Sequence, residues 1–526
     1  MSLATRGWRV SASLVVWKAR EMGRLTSREF VHELESRPDG PTVSWGRVVS
    51  ESEADGLQRV EHVVVLMLEN RSFDHMLGYL SLEGGRSDVD GLKAGMANTS
   101  GGREYPVARL SSTHLPDERW DLDHSAAATD HQIAGGAMSG FASSYAATLR
   151  GRGVQGDNAG VAMGYFNAAD LPVYDHLAEH FCVCDRWHSS VAGATWPNRL
   201  YAAAGSAAGS RDDVKPPLYD KRSFVRHLDA AGVSWRWYSY DIGSLRCVDR
   251  DYMLGHHEHF AYVQKLNLTL QTRIEEELFV DEDAASFLED AARGRLPAVS
   301  WIDPNFKDLN LVGSPPNDDH PPSDVQEGQE LVMLIYNALA TSPQWEKTLL
   351  LIVYDEHGGF HDHVPPPADP PDDDPGRFSS YGVRVPAIVV SPWVQPRSVS
   401  NVLYDHTTIV KTILKRFCPT ELEKRSGVDA LVHWLEEGHP HYVGKRVAAA
   451  ADLGSLLCSP SARPAPDRKD LVDWVAQRHG ARARRLLGDP VGMLRPAEKH
   501  AVTDLQAGII AASQQLHKDG HPAGQP

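Results

Sequence analysis

The chain has 526 residues, long for a single hydrophobic core, and its 42% apolar and 8% aromatic content is that of an ordinary globular protein. A formal net charge of -17 argues against a general affinity for nucleic acid or for an anionic membrane surface. No run approaches the roughly 18 apolar residues needed to span a bilayer.

From the N-terminus, Arg6 and Arg9 precede only a short apolar-leaning stretch, Val10 to Trp17, with no small-residue cleavage site before Lys18. Export is therefore unsupported, and a cytoplasmic location is expected, with secretion as the alternative. Residues 1–57 read as a helical, polar extension, 58–425 as the body, and 426–526 as a helical C-terminal extension ending in a frayed tail. Asp470 to Leu487 and Glu498 to Lys518 are its helical stretches, set to cover the body or pair with a partner. Within the body, His62 to Leu68 is a continuous apolar-leaning run, and Leu349 to Tyr354 is a second. Such runs suit central strands covered on both faces. Phe181 to Trp187, Val233 to Tyr240, Ala298 to Ile302 and Ala387 to Val390 are further strands, separated by helical or loop-like stretches. That alternation predicts an α/β fold with a mainly parallel sheet between two helical layers. Two Pro/Asp-rich loops, Ser314 to Asp324 and Val364 to Gly376, are expected to stay wet and frame a pocket mouth.

Both long runs stop at oxygen ligands: Glu69-Asn70 after the first and Asp355-Glu356 after the second. In open α/β sheets the ligand crevice lies beyond the carboxyl ends of the strands. If these two strands are parallel neighbours, three carboxylates crowd together, and their repulsion is relieved by a cation. The five cysteines form no zinc-type cluster. Cys182 and Cys184, two apart in a strand, point to one face and are read as buried free thiols.

In Gly193-Ala194-Thr195-Trp196-Pro197-Asn198-Arg199, Pro197 suits the first turn of a helix, which puts Thr195 at its entrance. A hydroxyl there sits beside free N–H groups and the positive end of the helix dipole, which favour bound anions. Taken alone, the residue reads more readily as a helix cap than as a nucleophile.

Six ordered blocks carry a resemblance: Glu69 to His75, Gly193 to Arg199, Asn317 to Pro322, Tyr354 to Phe360, Val383 to Ala387 and Tyr404 to Thr407. Over residues 60 to 420 the chain resembles the phosphoesterase family that includes bacterial phospholipases C and a respiratory-burst-inhibiting acid phosphatase. The resemblance implies an alkaline-phosphatase-like α/β/α sandwich. It also implies that Glu69, Asn70, Asp355 and Glu356 hold one divalent metal ion together with a nucleophilic hydroxyl, here Thr195. All-oxygen ligands leave Ca, Mg, Mn and Zn open.

His124 and His320 fall where the family places phosphate-contacting or proton-donating histidines, and His257 is a third such position within His256-His257-Glu258-His259. An imidazole near neutrality can neutralise a phosphate oxygen or protonate a leaving alkoxide. His357 is read as orienting the neighbouring ligands, and His406 as structural or supporting. His361 departs from the family, in which an aromatic is commoner there. The implied reaction is two-step phosphoryl transfer through a phosphothreonine at Thr195, with His320 or His257 assisting the leaving alcohol.

A phospholipase C-like phosphodiesterase is favoured over an acid phosphatase, and a non-catalytic metal-stabilised scaffold is the reading from another class. A choline head group would call for an aromatic cage, to which Trp120, Trp187, Trp196, Trp235, Trp237, Tyr238 and Tyr240 are possible contributors, although alternating aromatics in a strand are more often core. The expected partner is a phosphate-ester substrate such as a phospholipid, not a nucleic acid.

Overall fold

A computed structural model describes residues 56–479 apart from 208, 215–216, 220, 241–242, 254, 265–284, 307–315, 373–377 and 423–442. The N-terminal extension up to residue 55, the helix expected at Glu498 to Lys518 and parts of both Pro/Asp-rich loops lie outside the described residues. Eight strands form the central sheet: β1 (His62–Leu68), β2 (Cys182–Cys184), β3 (Trp235–Ser239), β4 (Phe260–Tyr262), β5 (Val299–Ile302), β6 (Thr348–Tyr354), β7 (Ala387–Val390) and β8 (Ser398–Ser400). Their spatial order is β8-β2-β7-β6-β1-β5-β3-β4. Every neighbouring pair is parallel except those of β7, which runs antiparallel to both β6 and β2.

β1 and β6 are the expected long runs, and they are parallel neighbours in a register that pairs Leu68 with Tyr354. Glu69 and Asp355 thus leave the sheet side by side. β5, β6 and β7 are buried at every residue, and β1 at all but His62. Strands buried on both faces read as unbroken Val/Ile/Leu runs, as these do.

The helices that matter for the site are α1 (Ala126–Ile133), α2 (Phe141–Gly151), α3 (Pro172–His180), α4 (Thr195–Ala204), α5 (Val325–Ala340), α6 (Thr407–Phe417), α7 (Lys445–Ala449) and α8 (Lys469–His479). α3 and α5 pack on each other and on the sheet, while α6 packs with α4 and α7 as a second group. α8 covers the start of the helix expected at Asp470 to Leu487. The segment from residue 443 onward shares the core of the body, burying Val447, Leu453, Leu457 and Leu471 in the main apolar cluster. A smaller cluster built from Leu122, Phe141, Tyr145, Phe360 and Val383 underlies the loops beyond β1 and β6. Among the described residues no helix is long and apolar enough to cross a membrane.

Several local expectations shift. The second strand keeps only Cys182 to Cys184 of its expected seven residues, and the short edge strands β4 and β8 had no long apolar run to announce them. Of the suggested cage residues, Trp187, Trp196, Trp235, Trp237 and Tyr238 lie in the main core. Trp237 stacks on Trp301 and donates Nε1–H to Asp303 at 2.6 Å. Cys182 and Cys184 are buried and free, as expected.

Candidate active site

Immediately after β1 the chain turns sharply. Asn70 has φ 60°, a left-handed conformation that asparagine tolerates better than other residues with a Cβ. This turn brings its backbone N–H to Asp355 Oδ1 at 3.1 Å. On the β6 side Gly358 has φ 61°, and a Cβ there would lie 2.0 Å from the Asn70 carbonyl oxygen. The two turns that follow β1 and β6 therefore touch through backbone at a point that only glycine fits. Gly358→Ala is expected to lower both activity and metal affinity by pushing Asn70 away; isothermal titration with a divalent cation checks it, and unchanged affinity would show that the contact is not needed.

Thr195 opens α4, but it does not cap it. The cap position is Ala194, which makes no side-chain bond, and Asp213 Oδ1 instead accepts the Trp196 N–H at 2.8 Å. Asn198 clamps the approach to the helix. Its Oδ1 accepts the Val191 N–H at 3.0 Å, and its Nδ2 donates to the carbonyl oxygens of Val191, Gly193 and Ala194. The hydroxyl held in place this way has no hydrogen-bond partner although it is fully buried.

Thr195 Oγ1 is not alone. Glu69 Oε1, Asn70 Oδ1 and Glu356 Oε1 are also buried and without a hydrogen bond. Glu69 Oε1 does lie 3.7 Å from Arg199 Nη2, close enough for charge attraction but too long for a hydrogen bond. Buried oxygens are almost always satisfied, so orphans on four of the five proposed ligands mark a donor set that fits a hard divalent cation. The fifth, Asp355, is held by Arg199 Nε at 3.0 Å and by the N–H groups of Asn70 and Glu356. Burial raises the carboxyls of Glu69 and Asp355 above the usual range.

Arg199, four residues after Thr195 on α4, was not singled out in the sequence. Its side chain is 3% exposed, and its guanidinium lies against both Glu69 and Asp355. Three carboxylates and one guanidinium sum to a formal charge of about -2, which one divalent cation would balance.

His320 Nδ1 bonds Glu69 Oε2 at 2.9 Å, and its Nε2 lies 3.6 Å from Asp121 Oδ1. Burial opposes its charge, yet Asp121 and Glu69 outweigh burial and lift its pKa well above the ordinary value. His124 sits edge-on to it with ring centroids 5.5 Å apart, tied through Nδ1 to the Leu122 carbonyl at 2.9 Å and through Nε2 to Asn70 Nδ2 at 3.3 Å. Asp121, His124 and His320 thus converge, close enough to share an ion, where His320 and His124 reach Glu69 and Asn70. His357 spans Glu356 Oε2 and Gln132 Oε1 at 3.2 and 2.7 Å, and so orients Glu356. Burial holds His406 down to about 4, and its neutral ring donates Nε2–H to the Asp355 carbonyl at 2.6 Å.

His257 is not brought to this cluster. It precedes β4 at the sheet edge, where Phe260 is level through the β3 and β5 registers with Val65, four residues short of Glu69. That separation is about 13 Å along the strand direction. There His257 Nδ1 meets Arg246 Nη1 at 3.3 Å.

The described part of the 314–324 loop, residues 316–324, does not stay wet as expected. Asp318, Asp319 and His320 are fully buried behind the site. Asp319 has φ 72°, and burial pushes its carboxyl up to about 7 while Tyr354 Oη–H and Arg71 pull it back. A buried carboxyl with a raised pKa binds protons more tightly folded than unfolded, so its contribution to stability falls as pH rises from the unfolded value near 4 through about 7. Asp319→Asn, which also tolerates the left-handed backbone, is expected to raise Tm more at about pH 8 than at about pH 5; an equal or reversed change in thermal melts would contradict this ionisation.

Ala194, the residue before Thr195, lines a cavity of about 200 Å³ together with Asp121, Asp123, His124, Arg152, Asp212 and Asp213 among others. Glu69, Asn70, Asp355 and Glu356 follow the carboxyl ends of β1 and β6, and His320 and His124 reach Glu69 and Asn70 there, a candidate site of oxygens and imidazoles that could share a cation.

The model of the Phosphoesterase family matches residues 60–418, and the chain belongs to that family. Non-specific phospholipase C6 of Arabidopsis thaliana is 35% identical over 378 residues, covering 68% of each chain. Phospholipase C B of Mycobacterium tuberculosis is 31% identical over 406 residues, covering 69% of this chain and 74% of the relative. A protein of the alkaline phosphatase superfamily from Vibrio parahaemolyticus aligns over 68% of this chain and 83% of its own at 8% identity and a TM-score of 0.29, a likeness too slight to argue from. The protein is a phosphoric ester hydrolase, and its mainly parallel sheet with helices packed on it is the α/β architecture that the alternation of strands and helices in the sequence predicts.

Proposed function

We propose that the protein is a phospholipase C-like phosphodiesterase that works through a phosphothreonine at Thr195. The observation that carries this reading is the buried, unpartnered Thr195 hydroxyl, on the helix whose Arg199 meets Glu69 and Asp355, together with the unpartnered oxygens of Glu69, Asn70 and Glu356. These residues and Asp355 would hold one divalent cation, Ca, Mg, Mn or Zn. Such an ion supplies a lowered hydroxyl pKa and positive charge for the phosphoryl oxygens.

The chain's own groups do the rest. Asn198 and the clamped 191–194 loop aim Oγ1, which attacks phosphorus as the bond to the alcohol breaks. His320, kept protonated by Asp121 and Glu69, supplies the proton for the departing alkoxide, and His124 meets charge on the phosphoryl oxygens. Water then hydrolyses the phosphothreonine.

The preference for a diester is supported by charge. The cavity beside Thr195 carries four aspartates against one arginine, a surrounding that favours a monoanionic diester over a dianionic monoester. The relatives named phospholipase C point the same way. The test is hydrolysis of p-nitrophenylphosphorylcholine and p-nitrophenyl phosphate in parallel by metal-replete protein. Faster diester turnover, lost in Thr195→Val, is the expected result; faster monoester turnover makes the enzyme an acid phosphatase with the same site.

A further inference from the structure

The scaffold that holds the site extends beyond the segment matching the family, which ends at residue 418. Arg446, on the short helix α7, is 2% exposed. Its guanidinium is sandwiched between the rings of Tyr381 at 4.5 Å and Tyr201 at 4.9 Å. Nη1 donates to the Ser190 carbonyl at 3.0 Å and to Asp405 Oδ2 at 3.1 Å, and Nη2 donates to Asp372 Oδ2 at 3.3 Å.

The partners sit on or bond to the segments that carry the site residues. Asp372 Oδ2 also accepts the hydroxyl of Tyr201, which lies six residues after Thr195 on α4. The Ser190 carbonyl begins the 190–194 approach to Thr195 that Asn198 clamps. Ser190 Oγ accepts the His406 N–H at 3.1 Å, and His406 in turn holds the Asp355 carbonyl. Asp405 is the residue before His406. A planar guanidinium with several fixed donors can brace such separate segments at once, which a lysine does less completely.

We propose that Arg446 is a positioning residue for the reaction: from outside the family segment it fixes the Thr195 approach and the Asp355 turn relative to one another. It touches neither substrate nor cation, so its effect is on geometry, and small displacements of reacting groups are costly in rate. The inference rests on the assignment of Thr195 and Asp355 to the site, but not on which ester is cleaved.

Arg446→Met and Arg446→Lys are compared with Arg463→Met. Arg463 lies in the same C-terminal segment and donates to the carbonyl oxygens of Val394 and His180, away from the site. All are assayed well below their own Tm. Arg446→Met is expected to lower kcat by about 10- to 100-fold with KM little changed, and lysine to recover part of the loss. Hydrogen exchange is expected to rise in residues 189–196 and 404–407 of Arg446→Met and to stay at the wild-type level there in Arg463→Met. Wild-type kcat in folded Arg446→Met, or exchange in those two segments no faster than in Arg463→Met, would reduce Arg446 to a structural latch and overturn the proposal. If the wild-type chain hydrolyses neither ester, the phosphodiesterase reading fails while the exchange comparison still decides the role of Arg446.

Discussion

Replacing Thr195 by valine is expected to lower turnover by at least about 1,000-fold and to leave Tm unchanged or slightly higher. The two effects have one cause. The hydroxyl is fully buried and makes no hydrogen bond, so the folded chain loses no polar contact when a methyl replaces it. A buried polar group without a partner is destabilising, and valine fills the same volume. The helix does not need the side chain as a cap, since Asp213 and Asn198 hold its entrance. A residue whose removal helps stability and abolishes activity is present for the reaction. Should Thr195→Val instead lower Tm substantially, the capping reading would regain its place.

The second large effect is expected at Arg199. Arg199→Met leaves Glu69 and Asp355 buried with no guanidinium between them, and removing one partner of a buried ion pair costs about 3–5 kcal/mol. In the presence of a chelator the variant should unfold at much lower denaturant than wild type. Adding a divalent cation should then recover more stability in the variant than in wild type, because a cation binding only the folded state stabilises by mass action and meets more uncompensated charge. Equal stabilisation of the two proteins in urea melts with and without Mn²⁺ would show that Arg199 and the cation do not share these carboxylates.

Much of this was legible in the sequence because the central strands are buried on both faces. An unbroken run such as Val63 to Leu68 has few other places to go in an α/β fold, and two such runs ending in carboxylates already imply neighbours. Their parallel pairing, with Glu69 beside Asp355, follows that pattern. The antiparallel insertion of β7 did not show, because Ala387 to Val390 has the same composition in either direction. Arg199 was overlooked within a quoted motif, since a charged residue on a helix ordinarily reads as a solvated face. The burial of Asp318 and Asp319 was missed for the same reason: aspartate beside proline signals a wet loop until a core arginine and tyrosine are known to meet it. His257 illustrates the reverse error, in which a histidine-rich string suggested chemistry that the sheet register keeps several residues away. Arg446 carried no signal at all, because its partners come from four separate segments that only the fold assembles.

The covalent role of Thr195 is tested by mass spectrometry of the peptide containing Thr195 after acid quench of metal-replete enzyme turning over p-nitrophenylphosphorylcholine. A phosphate-bearing adduct on Thr195, absent without substrate and absent in Thr195→Val, is the expected result. Full turnover with no modified peptide under conditions that accumulate the intermediate, or turnover retained by the variant, would contradict it and assign the attack to water.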